Sequence, residues 1–346
     1  MYLPPPDYTH LLDLIDETGI FEHTRYRVPR RADGYTIDDA ARAVVVLCHG
    51  PNHEPHVRAL RVLLSLLLDA LTAEGRFRNR LAFDRRWSDE TPDDTQGRAI
   101  WALAVTATSA HPPELRAAAL SALSDVDPVR SPHLRPHAFS ALGAHALWAA
   151  DPDDPLTVRF VETAAYRFEH ISHRPWPEDR LSYANGRIPA GMIAAGEAIG
   201  NEGLIAAGLK TLAWLEEAET HGDHFSFTPA GGQPIQDRRS GFDQQPIEAA
   251  ALADAAERAW LITGNPRWSE AVRRCAAWLM GANDSGVALY DATTGATCDG
   301  LMAKGANANS GAESTIAGIA VLQTWERIRS ATPAQAKSVD DVTTPG

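Results

Sequence analysis

Polar clusters that open every second helix-like segment constrain this chain more than any other feature. They are Thr36-Ile37-Asp38-Asp39, Thr91-Pro92-Asp93-Asp94, Ser131-Pro132-His133, Ser182-Tyr183-Ala184-Asn185, Asp243-Gln244-Gln245 and Ser310-Gly311-Ala312-Glu313. Each follows a long connection and precedes an Ala/Leu/Ile-rich run. The intervening segments begin after only a few residues, at Pro51 to Pro55, Pro112, Asp151 to Pro155, Asn201 and Pro266. Long loops therefore gather at one end of the molecule and short loops at the other. An up-down array of about twelve helices with this asymmetry predicts an all-α (α/α)6 toroid, a six-hairpin barrel in which six inner helices point their N-termini into one cavity.

The two kinds of segment differ in their faces. His56–Leu71, Glu114–Leu123, Val158–Phe168, Leu204–Leu215 and Trp268–Leu279 carry apolar residues at three-to-four spacing with charges between, the pattern of outer helices buried on one side. Ala40–Leu47, Ala99–Thr106, Ile188–Ile199, Ile247–Leu261 and Ile316–Leu322 are apolar nearly all round, as an inner ring requires. Thr91-Pro92 and Ser131-Pro132 read as capping hydroxyls followed by proline at the first helical position.

The same helical unit recurs along the chain, so residues 1–330 are expected to form a single toroid, with 331–346, which lose the periodicity, as a disordered tail. No apolar run approaches the ~18 residues of a membrane span. Met1 to Pro6 lack the basic and apolar regions of a signal peptide, which predicts a cytoplasmic location. Cys48, Cys275 and Cys298 are scattered and suggest neither a disulfide framework nor a zinc knuckle. The net charge is −13 and lysine occurs only at 210, 304 and 337, a balance that excludes a nucleic-acid partner dependent on counterion release.

Three inner segments place an arginine four residues after a polar residue: Asp38 to Arg42, Asp94 to Arg98 and Tyr183 to Arg187. That spacing stacks each pair on one helix face. A plainer role competes with it, because Asp39, Asp94 and Glu313 each lie three residues after Thr or Ser and fit a capping box. The same end of the toroid should also receive Asp84, Trp87, Trp176, Glu178, Asp179, His224, Asp243, Gln244, Gln245 and Glu248. Carboxylates, amides and indoles together suit a carbohydrate. Glu248 lies on an apolar stretch where desolvation raises a carboxyl's pKa, as a general acid needs, although a buried ion pair with an inner arginine is the alternative. His221-x-x-His224 lacks a third ligand in sequence and is weak evidence for a metal.

These residues resemble a bacterial family of helical domains attached to, or encoded beside, retaining GT-B glycosyltransferases and mannoside phosphorylases. The resemblance rests on Gly34 to Ala43, Phe83 to Trp87, Asp93 to Ala99, Trp176 to Tyr183, Asp243 to Ala249 and Gly311 to Thr315, and runs from about Ile20 to Arg327. Ala40 stands where the family often has Asn. The resemblance implies a carbohydrate context, with a glycosyltransferase or mannoside phosphorylase of the same pathway as partner. More broadly the chain is similar to (α/α)6 glycoside hydrolases and sugar 2-epimerases, among which α-mannanases use adjacent Asp-Asp pairs.

The sequence therefore predicts a glycoside hydrolase acting on a short mannose- or glucose-containing oligosaccharide, without metal or organic cofactor. The candidate acids are Asp39, Asp94, Asp179, Asp243 and Glu248, with Asp94 and Glu248 preferred as base and acid. Asp38, Arg42, Asp84, Trp87, Arg98, Trp176, Glu178, Tyr183, Arg187, His224, Gln244, Gln245 and Glu313 are the candidate sugar contacts. Two rivals remain: an epimerase or isomerase with His224 as base, and a non-catalytic glycan-binding module that presents acceptor to a glycosyltransferase.

Overall fold

The computed structural model describes residues 2–171, 174–236 and 241–331, so the expected tail, from 332 on, lies outside the described residues. Among the described residues, twelve α-helices alternate between two concentric layers. The inner ring is α2 (Ile37–Cys48), α4 (Asp93–Thr108), α6 (Leu134–Ala150), α8 (Arg187–Ala198), α10 (Pro246–Thr263) and α12 (Ala312–Ser330). Each inner helix packs on the next, and α12 packs on α2 to close the circle. The outer layer is α1 (Thr9–Asp13), α3 (Glu54–Ala70), α5 (Pro113–Asp125), α7 (Pro155–Glu169), α9 (Glu202–Ala218) and α11 (Pro266–Leu279). This is the (α/α)6 toroid that the alternation predicts. Among the described residues no helix is long and apolar enough to cross a membrane.

Local chemistry sets the short turns. Gly264 ends α10 in the left-handed region (φ 62°), Asn265 accepts the Arg267 N–H, and Pro266 opens α11, so three residues reverse the chain. Asp154 and Asn201 cap α7 and α9 in the same way. The proline-led inner starts differ from expectation. Pro92 and His133 themselves occupy the N-cap positions of α4 and α6, and neither Thr91 nor Ser131 supplies a capping bond there. Ser131 instead accepts the His133 N–H within the loop (3.2 Å).

Small residues let the inner helices approach closely. A Cβ at Gly97 of α4 would fall against the Pro136 carbonyl of α6, one at Gly143 of α6 would lie 2.8 Å from the Trp101 Cα of α4, and one at Gly191 of α8 would lie 2.6 Å from the Ala138 Cα of α6. Backbone atoms cannot yield as a side-chain tip can. Gly97→Ala is accordingly expected to destabilise the protein by about 1–3 kcal/mol through overpacking. Urea denaturation measures this, and an unshifted midpoint would show that α4 and α6 separate freely.

The long connections gather at the N-terminal end of the inner helices and are laced together by two-residue antiparallel ladders. Tyr35–Thr36 pairs with Arg80–Leu81, and Arg180–Leu181 with Gln233–Pro234, so loops from different hairpins form one rim. That rim surrounds the mouth of the ring.

Candidate active site at the mouth of the ring

Cavities in the ring and at its mouth mark the candidate site. A shaft between the inner helices is lined by Arg42, Arg98, Trp101, Phe139, Arg187 and Glu313 among others, and its volume of about 60 Å³ is room for about two waters. Above α2 and α12 it opens into a hollow of about 240 Å³ that shares Arg42 and Glu313 and adds His23, Asp38, Asp39, Arg80, Gln245 and Asp299. A second hollow, of about 510 Å³, lies above α4, α6 and the Arg180–Tyr183 segment and presents Asp94, His133, Arg135, Glu178, Arg180 and Tyr183.

Arg98 joins the two hollows. Its Nη1 lies 3.1 Å from Asp38 Oδ1 and 3.2 Å from Asp94 Oδ2, and its guanidinium sits 4.3 Å from the centre of the Phe139 ring. Asp94 also accepts the Tyr183 hydroxyl. Burial and the Asp94 charge both push the Tyr183 phenol upward, which keeps it a donor.

The adjacent carboxylates Asp38 and Asp39 have opposite environments. Burial works against ionisation of Asp38, but Arg98, Arg42 and the Thr95 hydroxyl outweigh it and hold the carboxyl below its ordinary value. Asp38 accepts from Thr95 Oγ1 (3.1 Å), Arg98 Nη1 (3.1 Å) and Asn79 Nδ2 (3.2 Å). Burial raises Asp39, Arg42 opposes it, and the nearby Glu313 and Asp38 charges add to the rise, which leaves the carboxyl at about 6. Its partners are Arg42 Nη1 (2.7 Å) and Thr36 Oγ1, which donates to Oδ2 (2.9 Å) and accepts the Asp39 N–H (3.2 Å). Only half of a capping box forms at Asp39: Thr36 Oγ1 caps the helix, while the carboxylate takes the Thr36 hydroxyl and Arg42 and, among the described residues, no backbone N–H. At Asp94 and Glu313 the N-caps are Pro92 and Gly311, and the carboxylates turn to Arg98 and Arg42 (2.8 Å) instead.

Two of the three helical pairs change partners. Arg42 binds Asp39 and Glu313 rather than Asp38, and Arg187 binds Asp254 (2.6 Å) rather than Tyr183. The Asp94–Arg98 pair forms as spaced. Tyr183 is held by Arg135, whose Nε donates to its carbonyl (2.5 Å) while Nη1 meets Glu178 (2.8 Å) and Nη2 meets Asn185 Oδ1 (3.0 Å).

Several expected contacts lie elsewhere. Glu248 is desolvated as expected, with burial raising its carboxyl, but it lines none of these cavities: it accepts the Ala184 N–H (2.6 Å), the Asn185 N–H (3.0 Å) and Asn185 Nδ2 (3.2 Å) behind the shaft wall. Gln244 is fully buried, accepts the Phe227 N–H (3.0 Å) and donates to Asp284 (2.6 Å). Trp176 is 1% exposed, stacked on Trp214 and bonded to the Arg180 carbonyl, so it offers no face to a sugar. Trp87 turns toward α3, where Asp69 meets its Nε1 (3.4 Å) and the Arg78 guanidinium covers its ring at 4.6 Å. Asp84 and Asp179 are exposed and paired with Arg86 (2.7 Å) and Arg174 (3.1 Å). Asp243 is exposed beside the mouth, its carbonyl accepting the Ala230 N–H. His224 belongs to a hairpin and faces Asp284.

The residues that sequence reasoning passed over are Arg135, Asp254, His23, Arg80 and Asp299. Arg135 and Asp254 carried a signal, a charge on an inner helix otherwise buried all round. The other three sit in long loops, where nothing in their spacing marks them.

No protein-family model matches the sequence, and no curated protein does. Solved structures do. The chain superposes on cellobiose 2-epimerase from Spirochaeta thermophila with a TM-score of 0.69 over 94% of each chain at 14% identity. It superposes on a D-mannose isomerase with a TM-score of 0.67 over 91% of this chain and 93% of that one at 11% identity. For the GH76A alpha-1,6-mannanase from Salegentibacter sp. HEL1_6 the TM-score is 0.60, over 92% and 98%, at 12% identity. The fold these structures share with the chain is the (α/α)6 toroid. At such identities the likeness carries the fold alone, and the chemistry rests on the residues at the mouth.

Proposed function

We propose that the protein is a glycoside hydrolase acting on a short oligosaccharide at the mouth of the ring, with Asp39 as general acid and Asp38 as the carboxylate partner. The observation that carries this reading is the divergence of two neighbouring carboxyls on one cavity wall, Asp39 raised to about 6 and Asp38 held low. Environments that drive two acids apart assign their roles. Asp39 gives its proton to the glycosidic oxygen as the bond to the anomeric carbon breaks. Asp38, kept ionised by Arg98, faces the positive charge that develops on the sugar and serves as base or nucleophile. Gln245, Arg80, Asp299 and the second hollow with Asp94, Tyr183 and Glu178 supply hydroxyl contacts for neighbouring sugar units. This reading moves the acid pair from Asp94 and Glu248 to Asp39 and Asp38.

The activities named for two of the structural neighbours favour a second reading, sugar epimerisation or isomerisation. It calls for a base that removes a proton next to a carbonyl. His224 faces Asp284 and lines none of the three cavities, whereas His23 lines the hollow that holds Asp39. Incubation with a panel of manno- and gluco-oligosaccharides, with products read by chromatography, separates the readings. New reducing ends support hydrolysis, while interconversion without cleavage supports the second reading. Binding without turnover sinks both and leaves a glycan-binding module.

A further inference from the structure

We infer that His221, His224 and Asp284 form a binding site for a divalent first-row transition-metal ion of the Zn²⁺ class, separate from the mouth cavities. Sequence offered only two of the three ligands. Thr220–His221 pairs with His224–Phe225 in a hairpin whose turn contains Gly222 at φ 61°, a conformation suited to glycine. His221 and His224 are directly opposed in that register, which puts both imidazoles on one face, their ring centres 5.7 Å apart. Asp284 reaches them from the connection between α11 and α12, sixty residues after His224. Its Oδ1 lies 3.2 Å from His221 Nδ1 and 2.9 Å from His224 Nε2, and the three ligand atoms lie within 4.8 Å of one another.

The groups behind these ligands also fit a cation. Asp284 Oδ2 is anchored by Ser226 Oγ (2.6 Å) and Gln244 Nε2 (2.6 Å), which leaves Oδ1 as the oxygen presented to the imidazoles. His224 Nδ1 meets Asp223 Oδ1 at 3.2 Å, the carboxylate–histidine arrangement that fixes a ring with Nε2 directed at a metal. One hydrogen bond would satisfy a ring nitrogen. Two imidazoles converging on one oxygen, with Asp284 and His224 each held by a further side chain, match a His₂Asp set with a further position open to solvent at the exposed His221. Imidazole with carboxylate favours zinc and its first-row neighbours over calcium or magnesium. Through Gln244 the ion would tie the hairpin and the α11–α12 connection to the segment that carries Gln245 into the mouth, so its role is to order that side of the rim.

The test uses the full chain without a histidine tag, stripped by chelation and then titrated with Zn²⁺ by calorimetry and with Co²⁺ by visible absorption. One Zn²⁺ per chain is expected, with affinity falling at least ~10²-fold in His224→Ala and Asp284→Ala and about 10-fold in Asp223→Asn. His221 is exposed, so His221→Ala keeps the fold and loses the ion; the melting temperature should rise with Zn²⁺ in the parent and stay flat in this variant. Equal zinc binding by the parent and His221→Ala, or no zinc binding by the parent, would overturn the site and leave a cluster held by hydrogen bonds alone.

Discussion

Asp39→Asn is expected to lower turnover by at least ~10²-fold while the ring stays folded, because the change removes the transferable proton and keeps size and most hydrogen bonding. Arg42 retains Glu313 as a partner, so the substitution does not strand a cation. The pH dependence follows from the same carboxyl. Asp39 must be protonated and Asp38 ionised, so kcat/KM should hold at mildly acid pH and fall as pH rises through about 6. Folding stability shares this direction. The folded carboxyl binds its proton more tightly than the unfolded one, whose value is 3.8, so its contribution is complete below that value and is lost as pH rises through about 6. Both slopes should vanish in Asp39→Asn. Full activity in this variant, with only the stability profile altered, would reduce Asp39 to a helix-start residue paired with Arg42.

Asp254→Ala should cost about 3–5 kcal/mol of stability, the usual consequence of removing one partner from a buried ion pair. Burial opposes the Asp254 charge, yet Arg187, Arg258 and Arg327 outweigh it and keep the carboxyl below its ordinary range. Arg187 Nη1 lies 2.6 Å from it, with the two side chains only 11% and 18% exposed. Without Asp254 the Arg187 guanidinium stays in the shaft wall over the Trp101 ring, 4.7 Å from its centre, and loses the carboxylate that offsets its burial. Converting both residues to apolar ones of similar volume should restore most of the loss, since the pair is costly to break and not especially favourable to keep. Chemical denaturation of the single and double variants measures this. A single variant within about 0.5 kcal/mol of the parent would mean that water reaches the pair.

The ring itself was legible because it depends on repeated local signals: helices buried all round alternate with one-sided helices, and polar residues open each inner member. The gathering of Asp38, Asp39, Arg42, Asp94, Arg98, Tyr183 and Glu313 at the mouth followed from those openings. Partner choice did not. Spacing along one helix suggests Asp38 with Arg42, yet Asp38 meets Arg98 sixty residues away and Arg187 meets Asp254 sixty-seven away, because long side chains reach across to the neighbouring inner helix. The tryptophans failed for another reason. A loop position suggests exposure, but an indole offers a large apolar area, and the 176 loop folds inward to bury it on Trp214. Asp84 and Asp179 fall to nearby arginines on the surface, two and five residues away. Glu248 shows that desolvation is readable from an apolar stretch, whereas access to a cavity depends on which way one helix face turns.

The outer layer is uneven: α1 has five residues, while its counterparts have thirteen to seventeen. That sector is closed by bonds between distant parts of the chain, His10 to the Ser310 carbonyl across 300 residues and Gln323 to Tyr8 across 315. One turn of helix has almost no stability of its own, and contacts so far apart form only after the intervening chain is ordered. The toroid therefore has a seam. Five hairpins can assemble from local contacts before the last wedge shuts, and amide exchange at Thr9–Asp13 should be the fastest of any helix, marking where the circle opens when the protein breathes.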